Sequence, residues 1–98
     1  MNVVWSPRGR KRLESYARYI AEHDYPQTAY NWLLDMRSAT EHLADFPQAG
    51  REAPEFAPSE IREITHRGYR LFYRIKKDTC EIISIRHERY PIFSMRSL

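Results

Sequence analysis

The chain has 98 residues, 42% of them hydrophobic and 30% charged, with a formal net charge of +3. That length supports one domain, spanning 1–98, with a modest core and no room for a second module, and the composition is that of a folded globular protein. No apolar run reaches membrane-helix length, charges stand where a leader peptide needs apolar residues, and the single Cys80 excludes an internal disulfide, so a cytoplasmic protein without a membrane partner is expected.

Residues 2–5 form a short apolar run and read as a strand. Ser6-Pro7 then supplies an N-cap followed by proline at the first helical position. Leu13, Tyr16, Ala17 and Ile20 recur at helical spacing and predict a helix to about His23. Asp24-Tyr25-Pro26 breaks it. Ala29, Trp32, Leu33, Met36, Ala39 and Leu43 carry a second helix to Phe46, where Pro47 stops it. The short link makes the two helices antiparallel neighbours. Leu33 and Leu43 are expected in the core.

Residues 47–60 hold three prolines and one glycine and predict an irregular crossing from helix to sheet. Three strands follow, at 61–66, 69–75 and 80–87, rich in β-branched and aromatic residues and separated by Arg67-Gly68 and by residues 76–79. Cys80 reads as a packed, inert thiol. The order is β-α-α-β-β-β. The expected fold is α+β, a helical hairpin on a small, mainly antiparallel twisted sheet.

Turn lengths predict the register. With Arg67-Gly68 as a two-residue loop, Glu63 lies opposite Phe72 and Thr65 opposite Arg70. An even loop at 76–79 puts Arg74 opposite Glu81 and Phe72 opposite Ile83. One face then carries Ile61, Glu63, Thr65, Arg70, Phe72, Arg74, Glu81, Ile83, Ile85 and His87; the other carries Arg62, Ile64, Leu71, Tyr73, Ile75, Cys80, Ile82 and Ser84. The Arg74–Glu81 pair is a cross-strand ion pair. Arg70 has no acid directly opposite, with Glu63 in diagonal reach. On an open face it is expected to contribute less than about 1 kcal/mol to stability.

Charge is uneven. Residues 1–49 hold six Lys/Arg and six Asp/Glu, whereas residues 50–98 hold ten and seven, so the basic excess lies in the strand half and gives weak support to an anionic partner, though dedicated nucleic-acid binders are usually more basic. Two tryptophans and seven tyrosines exceed what so small a core needs and suit a partner surface. Nucleotide-loop, metalloprotease and nucleophile-elbow motifs are absent, the four histidines have no metal-ligand spacing, and no cofactor is implied. His87 stands beside Arg86, Glu88, Arg89 and Tyr90, residue types able to support acid–base chemistry on a phosphodiester.

Trp5-Ser6-Pro7, Tyr19-Ile20-Ala21, Phe46-Pro47-x-x-Gly50-Arg51, Ile61-Arg62-Glu63-Ile64, the segment 68–74 (GYRLFYR) and Arg86-His87 together resemble the RelE/ParE superfamily of type II toxin–antitoxin modules. The resemblance runs in order over residues 2–90. It implies a growth-arresting toxin, of the kind linked to plasmid stabilization, held by a cognate antitoxin in a hetero-oligomer. The antitoxin segment is expected over the helical hairpin and the open sheet face. The two long helices and the FPxxGR junction resemble the ParE-like branch, whose target is DNA gyrase. The RelE-like branch, which cleaves mRNA on the ribosome, is the alternative. There, Arg70 matches an arginine used on the scissile phosphate, and Glu63, Arg70, His87 and Tyr90 are the candidate catalytic set. On the gyrase reading the candidate target-binding residues are Arg70, Arg86, Arg89, Tyr90 and Phe93, with the tail 86–98 as main determinant. A remnant that only binds antitoxin is a third reading.

Overall fold

A computed structural model describes residues 1–89. Strand β1 (Asn2–Trp5) leads into helices α1 (Pro7–His23) and α2 (Pro26–Glu41). Strands β2 (Arg51–Glu52), β3 (Arg62–His66), β4 (Tyr69–Lys76) and β5 (Thr79–His87) follow. The five strands form one sheet in the order β1-β5-β4-β3-β2. β1 runs parallel to β5 and the other pairs are antiparallel. The expected α+β fold is therefore present, with one additional short strand, β2.

Local signals set the element ends. The Ser6 hydroxyl accepts the Gly9 N–H at 3.0 Å and caps α1, and Pro7 occupies its first turn. Gly9 lets α1 approach β5, since a Cβ there would sit 2.6 Å from the Ile82 carbonyl oxygen. α2 departs from expectation at its end. It stops at Glu41 and tightens into a 3₁₀ turn over His42–Ala44, which turns the chain before Pro47. Arg67 and Gly68 both have positive φ, 50° and 82°, as a two-residue hairpin loop requires.

Two clusters lie between helices and sheet. Tyr16, Met36, Leu71 and Ile85 form one, flanked by Trp5, Leu13, Trp32, Ile64 and Tyr69. Leu43, Tyr73, Cys80 and Ile82 form the other. Cys80 is buried, and burial pushes its thiol pKa up. Leu43 is a core residue as expected, but Leu33 is only half-buried and borders a surface groove.

The β3–β4 register is the expected one, with Glu63 opposite Phe72 and Thr65 opposite Arg70. So is the start of β4–β5, where Arg74 pairs with Glu81 and its Nε lies 2.9 Å from the carboxylate. The ladder then slips between Phe72 and Tyr73: Phe72 faces Ser84 rather than Ile83, Leu71 faces Ile85, Arg70 faces Arg86 and Tyr69 faces His87. A bulge inserts one residue into β5, and a one-residue slip exchanges the faces beyond it. Ile85 thus joins Leu71 in the core instead of sharing the Arg70 face. His87 moves opposite Tyr69, and Arg86 takes the place facing Arg70.

Candidate functional site

The residues 47–60 do more than cross from helix to sheet. Tyr73, from β4, reaches back to hold them, and Arg62 of β3 donates to the Gly50 carbonyl at 2.7 Å and to Gln48 Oε1 at 2.9 Å. Phe56, from the 3₁₀ turn Pro54–Phe56, sets its ring edge-on to Phe72 with centroids 5.9 Å apart. These contacts cover Phe72, which is fully buried although it points away from the helices.

Around that cover lies a cluster of charges. The Glu63 side chain is 1% exposed, a position that a carboxylate holds only when its oxygens are paired. Arg51 from β2 donates through Nε and approaches through Nη2, both 2.8 Å from Oε1. Arg70 from β4 donates its Nε to Oε2 at 2.6 Å. The remaining edge of the Arg70 guanidinium is also occupied. Its Nη2 donates to Glu55 Oε1 at 2.8 Å and its Nη1 pairs with Glu55 Oε2, a bidentate fork. The Arg70 guanidinium carbon lies 4.9 Å from the Phe72 ring centroid, a cation–π contact. Hydrogen bonding to Arg70 holds the Glu55 carboxyl down at about 2, and the bonds from Glu55, with Glu63 contributing after an opposing effect of burial, hold Arg70 above the ordinary arginine range.

Glu63 and Arg70 are therefore brought together, as direct partners. The diagonal reach expected of Glu63 is realised, but Arg70 is not the solvated open-face charge that was the other expectation. Its side chain is 17% exposed, and it neutralises a buried carboxylate. His87 borders the same open cleft of about 470 Å³, with Arg51, Glu55, Arg70, Arg86 and Glu88. Its ring, however, packs edge-on to Tyr69 at 4.7 Å, its Nδ1 accepts the Arg89 N–H at 3.0 Å, and its own N–H donates to the Tyr16 hydroxyl at 2.9 Å. Arg86 lies opposite Arg70 and has no carboxylate partner among the described residues. Arg89 is exposed. Tyr90 and Phe93, and with them the expected role of the tail beyond residue 89, lie outside the described residues.

Sequence reasoning missed Glu55. It is one acid among prolines and alanines in an irregular stretch, and its pairing with Arg70 spans fifteen positions. Arg51 stood in the quoted FPxxGR junction, but its partner, Glu63, was not assigned to it. A second feature, an apolar groove of about 590 Å³, lies between β1 and the helices. Val3, Val4, Trp5, Leu13, Leu33 and Leu34 line it, with Val4 and Leu34 close to half exposed. Among the described residues no group of three His, Cys, Asp or Glu is placed to hold a metal ion. No helix among them is long and apolar enough to cross a membrane.

Comparison with known proteins adds two findings. The family model described as "ParE toxin of type II toxin-antitoxin system, parDE" matches residues 3–90. A solved structure described as "Chromosomal ParDE TA system from P. aeruginosa" superposes with a TM-score of 0.77 at 18% sequence identity, over 89% of this chain and 95% of the other. At that identity the superposition speaks to the fold. No curated protein sequence matches.

Proposed function

Because the chain belongs to the ParE toxin family of type II toxin–antitoxin systems, we propose that it acts in the cytoplasm as a protein inhibitor of DNA gyrase and is neutralised by a cognate, acidic antitoxin. The observation that carries the choice of target is the state of Arg70. A ribosome-dependent nuclease needs a guanidinium available to a scissile phosphate and a carboxylate or imidazole oriented as base. Here Arg70 donates to two carboxylates, and the Glu63 carboxylate is itself shared between two arginines. The two residues neutralise each other, which favours a binding surface over a phosphodiester-cleaving site.

The apolar groove beside β1 suits an antitoxin segment that folds as it binds; of its rim cations Arg37 pairs with Glu41 at 3.7 Å, which leaves Arg10 to meet acidic side chains. Arg86, which borders the Arg70 cleft, and the exposed Arg89 are the described cations we assign to the target.

The test uses purified toxin in two parallel assays: gyrase with relaxed plasmid, and programmed ribosomes with a defined mRNA. Loss of supercoiling with intact mRNA is expected. Cleavage of mRNA in the ribosomal A site with supercoiling unchanged would sink the gyrase reading and restore Glu63, Arg70, His87 and Tyr90 as catalytic residues. Inactivity in both, with antitoxin binding retained, would mark an antitoxin-binding remnant.

A further inference from the structure

The two edges of the Arg70 guanidinium have different supports. The inner edge is fixed by the sheet itself, through the Nε bond to buried Glu63 and the contact with the Phe72 ring. The outer edge meets Glu55, which does not belong to the sheet. Glu55 sits in the turn Pro54–Phe56, within a mostly exposed stretch. Ala53 ties the start of that stretch to Ile61 through a 2.9 Å backbone bond, and Phe56 rests on Phe72. With Glu55 moved aside, Glu63 and Phe72 still aim Nη1 and Nη2 of Arg70 into the cleft bordered by Arg51, Arg86 and His87.

We propose that the outer edge of Arg70 is a carboxylate-binding site, that Glu55 is its tethered occupant, and that an aspartate or glutamate of a protein partner takes the place of Glu55. The site is a property of the cluster and holds whichever target the toxin acts on. Exchange of one bidentate carboxylate for another conserves both the hydrogen bonds and the charge balance. Its cost is the displacement of a short surface turn whose contacts to the sheet are the Phe56–Phe72 stack and, at its start, the Ala53–Ile61 backbone bond. Protonation does not open the site near neutrality, because Glu55 stays ionised down to about pH 2. A protein carboxylate fits better than a nucleic-acid phosphate. With Glu55 in place, Glu55, Glu63 and Glu88 balance Arg51, Arg70 and Arg86, so no net positive field draws a polyanion toward the cleft, whereas a one-for-one exchange with Glu55 needs none.

The test follows the Arg70 side-chain N–H resonances by NMR in the wild type, Glu55→Gln and Phe56→Ala, with acetate and, separately, inorganic phosphate as probes. Acetate is expected to shift these resonances saturably in Glu55→Gln, at a concentration lower than in the wild type by about tenfold or more, because the occupant that lowers apparent affinity is gone. Phe56→Ala, which keeps Glu55 but loosens its turn, should fall between the two. Its response also carries the test if Glu55→Gln does not fold. No response in a folded Glu55→Gln whose Arg70 Nε–H still reports the Glu63 bond overturns the site. An equal response in wild type and both variants overturns Glu55 as occupant. Phosphate binding about tenfold tighter than acetate overturns the carboxylate assignment in favour of a phosphate site.

Discussion

The Tyr73 hydroxyl and the Gly50 backbone are locked together. Tyr73 accepts the Gly50 N–H at 2.9 Å and donates its own O–H to the Pro47 carbonyl at 2.7 Å. A Cβ at Gly50 would lie 2.6 Å from both the Tyr73 hydroxyl and the Glu63 carbonyl oxygen. The glycine is thus required by close approach, and the junction that leads into β2 is fastened to the centre of the sheet. Tyr73→Phe should cost about 1–3 kcal/mol, since it leaves buried backbone groups without a partner. Gly50→Ala should cost at least about 1–3 kcal/mol through overpacking against backbone. Urea unfolding of the two variants checks both; a Gly50→Ala protein as stable as the wild type would contradict the packing.

Arg70→Ala should destabilise the fold by about 2–4 kcal/mol, because it strands one oxygen of a buried carboxylate while Arg51 still serves the other. Arg70→Lys keeps the charge but loses the fork, and its stability should lie between the two. Leu43→Ala should cost about 2–5 kcal/mol as a core cavity. Half-buried Leu33→Ala should cost less, under about 1.5 kcal/mol. Denaturation midpoints in which Arg70→Ala is the mildest of these would contradict the pairing with Glu63.

The Glu55 carboxyl titrates at about 2 in the fold, against an ordinary value of 4.5. At neutral pH it is ionised in both folded and unfolded chains, and the full stabilisation is present. As pH falls below the ordinary value, the unfolded chain takes up the proton first, so stability declines until the folded pKa is passed. Thermal melts of the wild type and Glu55→Gln between pH 7 and pH 2 should therefore converge toward the acid end. A constant difference between them across that range would show that Glu55 is not held by Arg70.

Arg86 faces Arg70 across the ladder, and like charges in that position oppose each other. Arg86→Gln should leave stability within about 0.5 kcal/mol of the wild type, or raise it. If the cation serves the target instead, the variant should inhibit gyrase less well by about tenfold or more. Supercoiling titrations measure this directly, and unchanged inhibition would remove Arg86 from the target surface.

The parts of this fold that follow local rules were legible in the sequence. Ser6-Pro7 announces α1, the spacing of Leu13, Tyr16 and Ile20 carries it, and Arg67-Gly68 fixes the β3–β4 register. What escaped depends on distant contacts. The bulge at Ile83 follows no local signal, because a strict alternation of faces cannot register an inserted residue, and it reassigned Ile85, Arg86 and His87. β2 is two residues in a proline-rich stretch and becomes a strand only because β3 offers it an edge. Arg70 looked like a solvated charge because its chief partner, Glu55, arrives on an irregular segment with no period to read. Glu63 was placed opposite Phe72 correctly, yet its burial depends on a cover that alternation does not reveal.

The parallel pairing of β1 with β5 has a consequence for synthesis. Asn2 to Trp5 find their partners only at Thr79 to Ile82. During translation the first strand must wait, unpaired, until nearly all the described chain has left the ribosome, and contacts so distant in sequence form late and slowly. The strand wall of the groove that β1 shares with the helices, Val3 to Trp5, is the segment this late pairing fixes. A nascent toxin chain therefore passes through its synthesis without a finished surface, and an antitoxin that recognises that groove can capture the protein only as the last strand closes the sheet.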